Sequence, residues 1–204
     1  MIDRIADRRA LIRGSLGLGG ALFIPTAVGG AALAPSPEPV RPADPAPRDV
    51  FRPEKRLAFR NVHTNETFDA RWYGPNGWDE NGLVEIAHAL RDWRTGEVRA
   101  IDRPLIAMLA GLRGKLDLDP AKPYDLISGY RSPLTNASLR ERGGEHTGVA
   151  TKSQHMLGKA ADIAVPGVKL DRVRSAARAM GMGGVGYYPS DGFVHVDTGR
   201  VRFW

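Results

Sequence analysis

The sequence contains no cysteine. A disulfide framework is excluded, and so is any metal site built on thiolates. A metal would have to rest on His, Asp or Glu, and the 204 residues include only five histidines. No basic run or basic helix marks a nucleic-acid footprint, so no nucleic-acid partner is expected. The net charge of +6 can steer the chain toward anionic partners but names none. No internal repeat is visible. Apolar content is 42% and charged content 25%, as in an ordinary globular protein, and the length suits one domain with additions at its ends.

The first addition is an address. Arg8-Arg9 precede a stretch from Gly14 to Ala34 that carries no charge and is rich in glycine and apolar residues. It ends Ala32-Leu33-Ala34, a small-x-small cleavage pattern. Residues 1–34 therefore read as a signal peptide of the twin-arginine type, which implies a periplasmic or otherwise exported protein. The alternative is an uncleaved membrane anchor, because the stretch approaches the spanning minimum of about 20 residues. Either way the N-terminus implies at least a transient membrane contact. Cleavage after Ala34 would remove four Arg and two Asp and leave a net charge of +4. Residues 35–54 form a linker. Pro35, Pro37, Pro39, Pro42, Pro45, Pro47 and Pro53 favour extended conformations that bury no core.

The folded domain is expected over 55–204. Leu57 to Val62 and Thr67 to Tyr73 are β-prone runs around a polar turn, a hairpin pattern. Leu83, Ile86, Ala87 and Leu90 have helical spacing and predict a helix over 80–93. Asp102 and Pro104 start another helix, with Leu105, Met108, Leu109 and Leu112 as its buried stripe. Tyr124 to Ser128 reads as a strand, Ser132-Pro133 opens a polar helix to about Arg142, and Gly143 to Thr151 is a loop. Lys159 to Val165 reads as a strand, and Leu170, Val173, Ala176, Ala177 and Met180 mark a helix closed by Gly181. Val185 to Tyr188 and Phe193 to Thr198 form a second hairpin across Pro189-Ser190-Asp191-Gly192. Strands and helices do not alternate strictly. The class is α+β, a single domain with a mainly antiparallel central sheet flanked by helices.

The most informative segment is Ser153-Gln154-His155-Met156-Leu157-Gly158-Lys159-Ala160-Ala161-Asp162. Gly158 permits a tight turn between the histidine and the next strand. Ala160, Asp162 and Ala164 share one face of that strand, and Phe193, His195 and Asp197 share one face of the terminal hairpin. If the two strands are neighbours, His155, Asp162 and His195 can converge. Two imidazoles and a carboxylate suit zinc, and three protein ligands leave a fourth position for water. The plainer reading is a histidine satisfied in the core or at the surface, with Asp162 as a structural hydrogen-bond acceptor. Spacing alone leaves both open.

The pattern Ser153-x-His155-x-x-Gly158-x-Ala160-x-Asp162 with a later His195 resembles the zinc peptidases of the hedgehog/D,D-peptidase superfamily. The longer set Ser128-Gly129-Tyr130-Arg131-Ser132-Pro133-x-x-Asn136, Ser153-Gln154-His155-Met156 and Gly192 to Gly199 is similar to its YcbK-like branch of murein endopeptidases. The resemblance covers roughly residues 55 to 204. It implies that superfamily's fold and a zinc-dependent peptidase acting on the peptide part of peptidoglycan. One zinc per chain would be held by His155, Asp162 and His195. It also implies that Arg131 faces the substrate, where a guanidinium could stabilise an oxyanion or hold a carboxylate.

The general base is the weak point. Relatives place a Glu three residues before the last histidine ligand or a His two before it, and here those positions are Gly192 and Phe193. Asp197 leaves the strand on the same side as His195 and is the leading candidate, either as base or as a partner that orients His195. His146 is the alternative base, and Tyr130 and Ser153 are candidates for substrate contact. Asp191 reads as a turn former. His63 and His88 read as structural or surface residues, and Trp72, Trp78 and Trp93 as core or cleft walls. The departure at the base keeps a second reading open, a non-catalytic zinc- or cell-wall-binding module. A third is a membrane-tethered interaction protein. The choice between D,D- and L,D-bonds, and between endo- and carboxypeptidase action, stays open, as does the oligomeric state.

Overall fold

The computed structural model describes residues 55–119, 121–143 and 149–204. The signal-peptide and linker readings, and His146, lie outside the described residues. The domain starts with the expected hairpin, β1 (Lys55–Asn61) and β2 (Thr67–Gly74), paired antiparallel. Asn61 fastens the turn, its Oδ1 accepting the N–H groups of His63 and Thr64 at 2.9 and 3.2 Å. A short β3 (Gly77–Trp78) follows, then α1 (Glu80–Ala89). This helix stops short of residue 93. Asp92 turns the chain instead, its carboxylate accepting from the backbone of Arg94 and of Ser132.

α2 (Arg103–Leu116) has proline in its first turn, and Leu105, Met108, Leu109 and Leu112 are fully buried, as their spacing predicts. Each such burial contributes about 1.5–3 kcal/mol. Next come β4 (Tyr124–Ser128), the polar α3 (Pro133–Gly143), β5 (Ala160–Ala164), α4 (Leu170–Met180), β6 (Gly184–Tyr188), β7 (Phe193–Asp197) and β8 (Arg202–Phe203). Gly181 closes α4 in the left-handed region, as expected.

The strands make one eight-stranded sheet in the order β3-β2-β1-β4-β5-β7-β6-β8. It is mixed, because β1 pairs parallel with β4 and β6 parallel with β8. The other pairings are antiparallel. Alternation along the strands gives the sheet two different faces. Ala161 and Ile163 of β5 and Val194 and Val196 of β7 join the hydrophobic core with α2 and α4. The residues between them, Ala160 and Asp162 on β5 and His195 and Asp197 on β7, therefore face the other way. They are cross-strand partners, Asp162 with His195 and Ala160 with Asp197. The site is thus built on the sheet face opposite the core.

Candidate metal centre

His155 reaches the sheet from a short 3-10 turn, Gln154–Leu157. Ser153 starts it, its hydroxyl oxygen accepting the His155 N–H at 3.3 Å. Gly158 ends it in the left-handed conformation with φ 67°. A side chain there would also come within 2.5 Å of the Ala100 carbonyl oxygen, so only glycine lets the chain pass from His155 into β5.

The outer nitrogens of both histidines are spoken for. His155 Nδ1 lies 2.7 Å from the Gly129 carbonyl oxygen, and His195 Nε2 lies 2.9 Å from Asp197 Oδ2. Both partners can only accept at the pH of a carboxylate, so each outer nitrogen carries the hydrogen and donates it. His155 Nε2 and His195 Nδ1 then turn their lone pairs inward. They stand 3.2 Å apart, and Asp162 Oδ1 is 2.8 Å from His195 Nδ1 and 3.3 Å from His155 Nε2. Ligand atoms held about 2.0–2.1 Å from a tetrahedral zinc would be roughly 3.3 Å apart. The triangle matches that size, and its three converging atoms could hold a metal ion between them. All three residues are buried.

The titration behaviour agrees. Burial would push the Asp162 carboxyl up, but the imidazoles of His155 and His195 outweigh it and hold it well below the usual carboxylate range. Burial lowers His155, prevailing over the pull of Asp162. Burial also opposes charge on His195, yet Asp162 and Asp197 outweigh it and raise its pKa.

Arg131 lies in the loop after β4, which three backbone contacts fix. Its own N–H donates to His155 O at 3.3 Å, Tyr130 N–H to Leu90 O at 2.6 Å, and Ser132 N–H to Asp92 Oδ2 at 2.9 Å. The guanidinium is almost fully buried but poorly paired. Nη2 is 3.5 Å from both Ser128 Oγ and Asp162 Oδ2, and Nε has no partner. It borders an open cleft together with His155, Asp162, His195 and Ser153.

Other residues sit differently from what the sequence suggests. Asp197 is completely buried and does not border the cleft. It stands behind His195, and its oxygens accept from His195, from Arg202 at 2.7 and 3.1 Å, and from the Gly199 and Gly184 N–H groups. Strand parity put it on the correct side but could not say that the space above it is filled. A carboxylate so enclosed faces His195 and Arg202 and not the cleft. Tyr130 also faces away, its ring in the core and its hydroxyl donating to Glu97 at 2.6 Å. His63 stacks on Trp93 and His88 meets Phe68 edge-on, both remote from the triangle's lining. Trp72 and Trp78 pack against each other and with Tyr73 at the β2–β3 end.

Asp191, read as a turn former, stands exposed at the cleft. Tyr188, Arg202 and Trp204 also border it, and sequence reasoning missed all three. No local pattern in the sequence points to them.

The buried triangle of two imidazoles and a carboxylate, open on one side to a cleft with an underpaired arginine, could hold one metal ion on three protein ligands. The family model described as peptidoglycan L,D-endopeptidase MepK matches residues 51–204, and the chain belongs to that family. The peptidoglycan L,D-endopeptidase MepK of Escherichia coli (strain K12) is 40% identical over 199 residues, 98% of this chain and 97% of the relative. That of Shigella flexneri is 40% identical with the same coverage. The probable peptidoglycan L,D-endopeptidase MepK of Haemophilus influenzae is 39% identical over 156 residues, 76% of this chain and 82% of the relative.

Proposed function

We propose that the protein is an exported zinc endopeptidase that hydrolyses L,D-peptide bonds in peptidoglycan. Its family and the names of its relatives support the substrate and the bond. The observation that carries the metal is the inward triangle of His155 Nε2, His195 Nδ1 and Asp162 Oδ1, with edges of 2.8–3.3 Å. These three residues hold one zinc per chain. Bound zinc supplies a Lewis acid for the scissile carbonyl and lowers the pKa of the attacking water toward about 7.

The protein's own groups do the rest. Gly129 O and Asp197 hold the two imidazole rings with their lone pairs facing inward. Arg131, which borders the cleft and whose Nη2 is held only by long contacts to Ser128 and Asp162, offers its guanidinium to the oxygen on which negative charge develops during attack. The wall of Ser153, Tyr188 and Trp204 positions the peptide. An underpaired guanidinium beside a complete ligand triangle also speaks against the non-catalytic module, which would have no need of it.

The deciding experiment is digestion of purified muropeptide dimers by the protein with and without a chelator. L,D-cross-linked dimers should fall to monomers, D,D-cross-linked dimers should persist, and chelator should stop the reaction until zinc is restored. Cleavage of the D,D-dimers at the same rate would overturn the bond assignment, and chelator resistance would overturn the metal.

Peptidoglycan lies outside the cytoplasm, so its hydrolase must be exported. The twin-arginine reading of residues 1–34, with residues 35–54 as a tether to the domain at 55–204, supplies a route. Arg8→Lys with Arg9→Lys should retain the precursor in the cytoplasm, because a receptor reads the pair and charge alone does not replace it. Cell fractionation checks this, and normal export of the double variant would point to another route.

A further inference from the structure

The last residues of the chain pass directly behind the proposed metal centre. β8 runs parallel to β6, with Gly184 opposite Arg202 and Val185 opposite Phe203. Trp204 continues the register at Gly186, its N–H donating to Val185 O at 3.3 Å and its carbonyl oxygen accepting from Tyr187 N–H at 3.0 Å. On the other side of β6, Gly186 is opposite His195. The same register, one step on, puts Gly184 level with Asp197. Two rows therefore cross the sheet. One runs Asp197, Gly184, Arg202, and the other Asp162, His195, Gly186, Trp204.

In both rows the middle position is glycine, and in both a side chain there would collide with the flanking groups. A Cβ on Gly184 would come within 2.5 Å of Arg202 Nη1 and also strike the Asp197 carboxylate. A Cβ on Gly186 would come within 2.6 Å of the Trp204 indole. Glycine weakens a strand interior, and its use at alternate positions marks a close approach from above. What approaches is a clamp. Arg202 grips both oxygens of Asp197, at 2.7 and 3.1 Å, in the two-pronged geometry that only a guanidinium provides. Asp197 in turn accepts from His195 Nε2. Trp204 lies over Gly186 with its ring centroid 5.3 Å from that of His195. Its indole N–H donates to Tyr188 Oη at 2.7 Å, and the Arg202 guanidinium stacks on it at 4.8 Å.

We propose that the C-terminal strand is a working part of the metal centre, in which Arg202 and Trp204 act as positioning residues that fix the His195 ring in its ligating orientation. Arg202 sets the Asp197 carboxylate that holds Nε2, and Trp204 blocks rotation of the ring toward the open cleft while keeping Arg202 in place. This inference rests on the metal reading above but not on the substrate. Loss of the clamp frees the ring of His195 and so weakens zinc binding before any peptide is present.

The test uses the full chain and its variants, purified metal-free. Zinc affinity is read by competition with a chromophoric chelator, and cobalt(II) substitution reports ligand geometry through its visible absorption. Arg202→Ala should weaken zinc binding roughly 10- to 100-fold, the scale seen when a histidine ligand loses its outer support, and should change the cobalt spectrum. Arg202→Lys should recover only part, since it keeps the charge but not the two-pronged contact. Trp204→Ala and Gly186→Ala, which remove or displace the indole, should each shift the cobalt spectrum. A folded Arg202→Ala with wild-type zinc affinity and spectrum would overturn the proposal. Should Arg202→Ala not fold, wild-type cobalt spectra in both Trp204→Ala and Gly186→Ala would overturn it equally. A wild-type protein that takes no zinc would overturn the metal reading and this inference with it. A wild-type protein that binds zinc but leaves peptidoglycan intact would overturn the substrate alone.

Discussion

His195→Ala is expected to abolish zinc binding and, with it, peptidoglycan hydrolysis. The proposed site has three protein ligands, and the variant leaves one imidazole and one carboxylate. Removing only the outer support of a histidine ligand costs about 10- to 100-fold in metal affinity. Removing the ligand itself must cost more, so affinity should fall by well over about a hundredfold on that scale. His155→Ala should behave the same way, because its Nε2 forms another corner of the triangle. His63→Ala is the matched control. It removes an imidazole that stacks on Trp93, outside the cleft, and should keep its zinc. Elemental analysis of the purified variants decides the matter, and full zinc in His195→Ala would sink the ligand assignment.

The wild-type site should also release zinc in acid. His195 holds a proton to higher pH than an ordinary imidazole because Asp162 and Asp197 outweigh its burial. Metal must displace that proton, so zinc affinity should weaken as pH falls below the raised value and recover as pH rises.

Arg131→Ala is expected to keep its zinc and lose turnover. The guanidinium supplies none of the three triangle atoms, and its contact with Asp162 is a long 3.5 Å. Asp162 keeps both histidine partners without it. What disappears is a charged donor bordering the cleft. Loss of one such donor costs roughly 10²- to 10³-fold in kcat, about 2.7–4 kcal/mol. Arg131→Lys should recover little, since an ammonium cannot present the same fixed fork. The measurement is the rate of muropeptide release at equal zinc occupancy. An unchanged kcat with a raised KM would show that Arg131 anchors a substrate carboxylate and does not stabilise the transition state.

Much of this was legible in the residues. The Leu105, Met108, Leu109 and Leu112 stripe declared a buried helix, and the proline and glycine at helix ends placed their limits, because those signals act within one or two turns. Strand parity put Asp162 and His195 on one face each, which made a shared site conceivable. The same parity set Asp197 beside His195 but left its role open. It states on which side of a strand a residue lies, but not what lies above it, and here Arg202 and two backbone N–H groups do. It could not show that Tyr130 is turned into the core either, since the loop that aims Arg131 is tied down by Leu90, Asp92 and His155 from elsewhere in the chain.

The sequence by itself determined the chemistry available. Without cysteine it allowed only imidazole and carboxylate ligands, and the family resemblance carried by Ser153 to Asp162 and the later His195 pointed to which ones. Tertiary structure decided how they are used. The sheet is mixed because β1 meets β4, and β6 meets β8, in parallel across long stretches of chain, and no local period encodes such a pairing. β8 is only two residues long, too short to show any alternation. Yet its pairing carries Arg202 and Trp204 to the back of His195, over glycines whose purpose is visible only once their neighbours are in place.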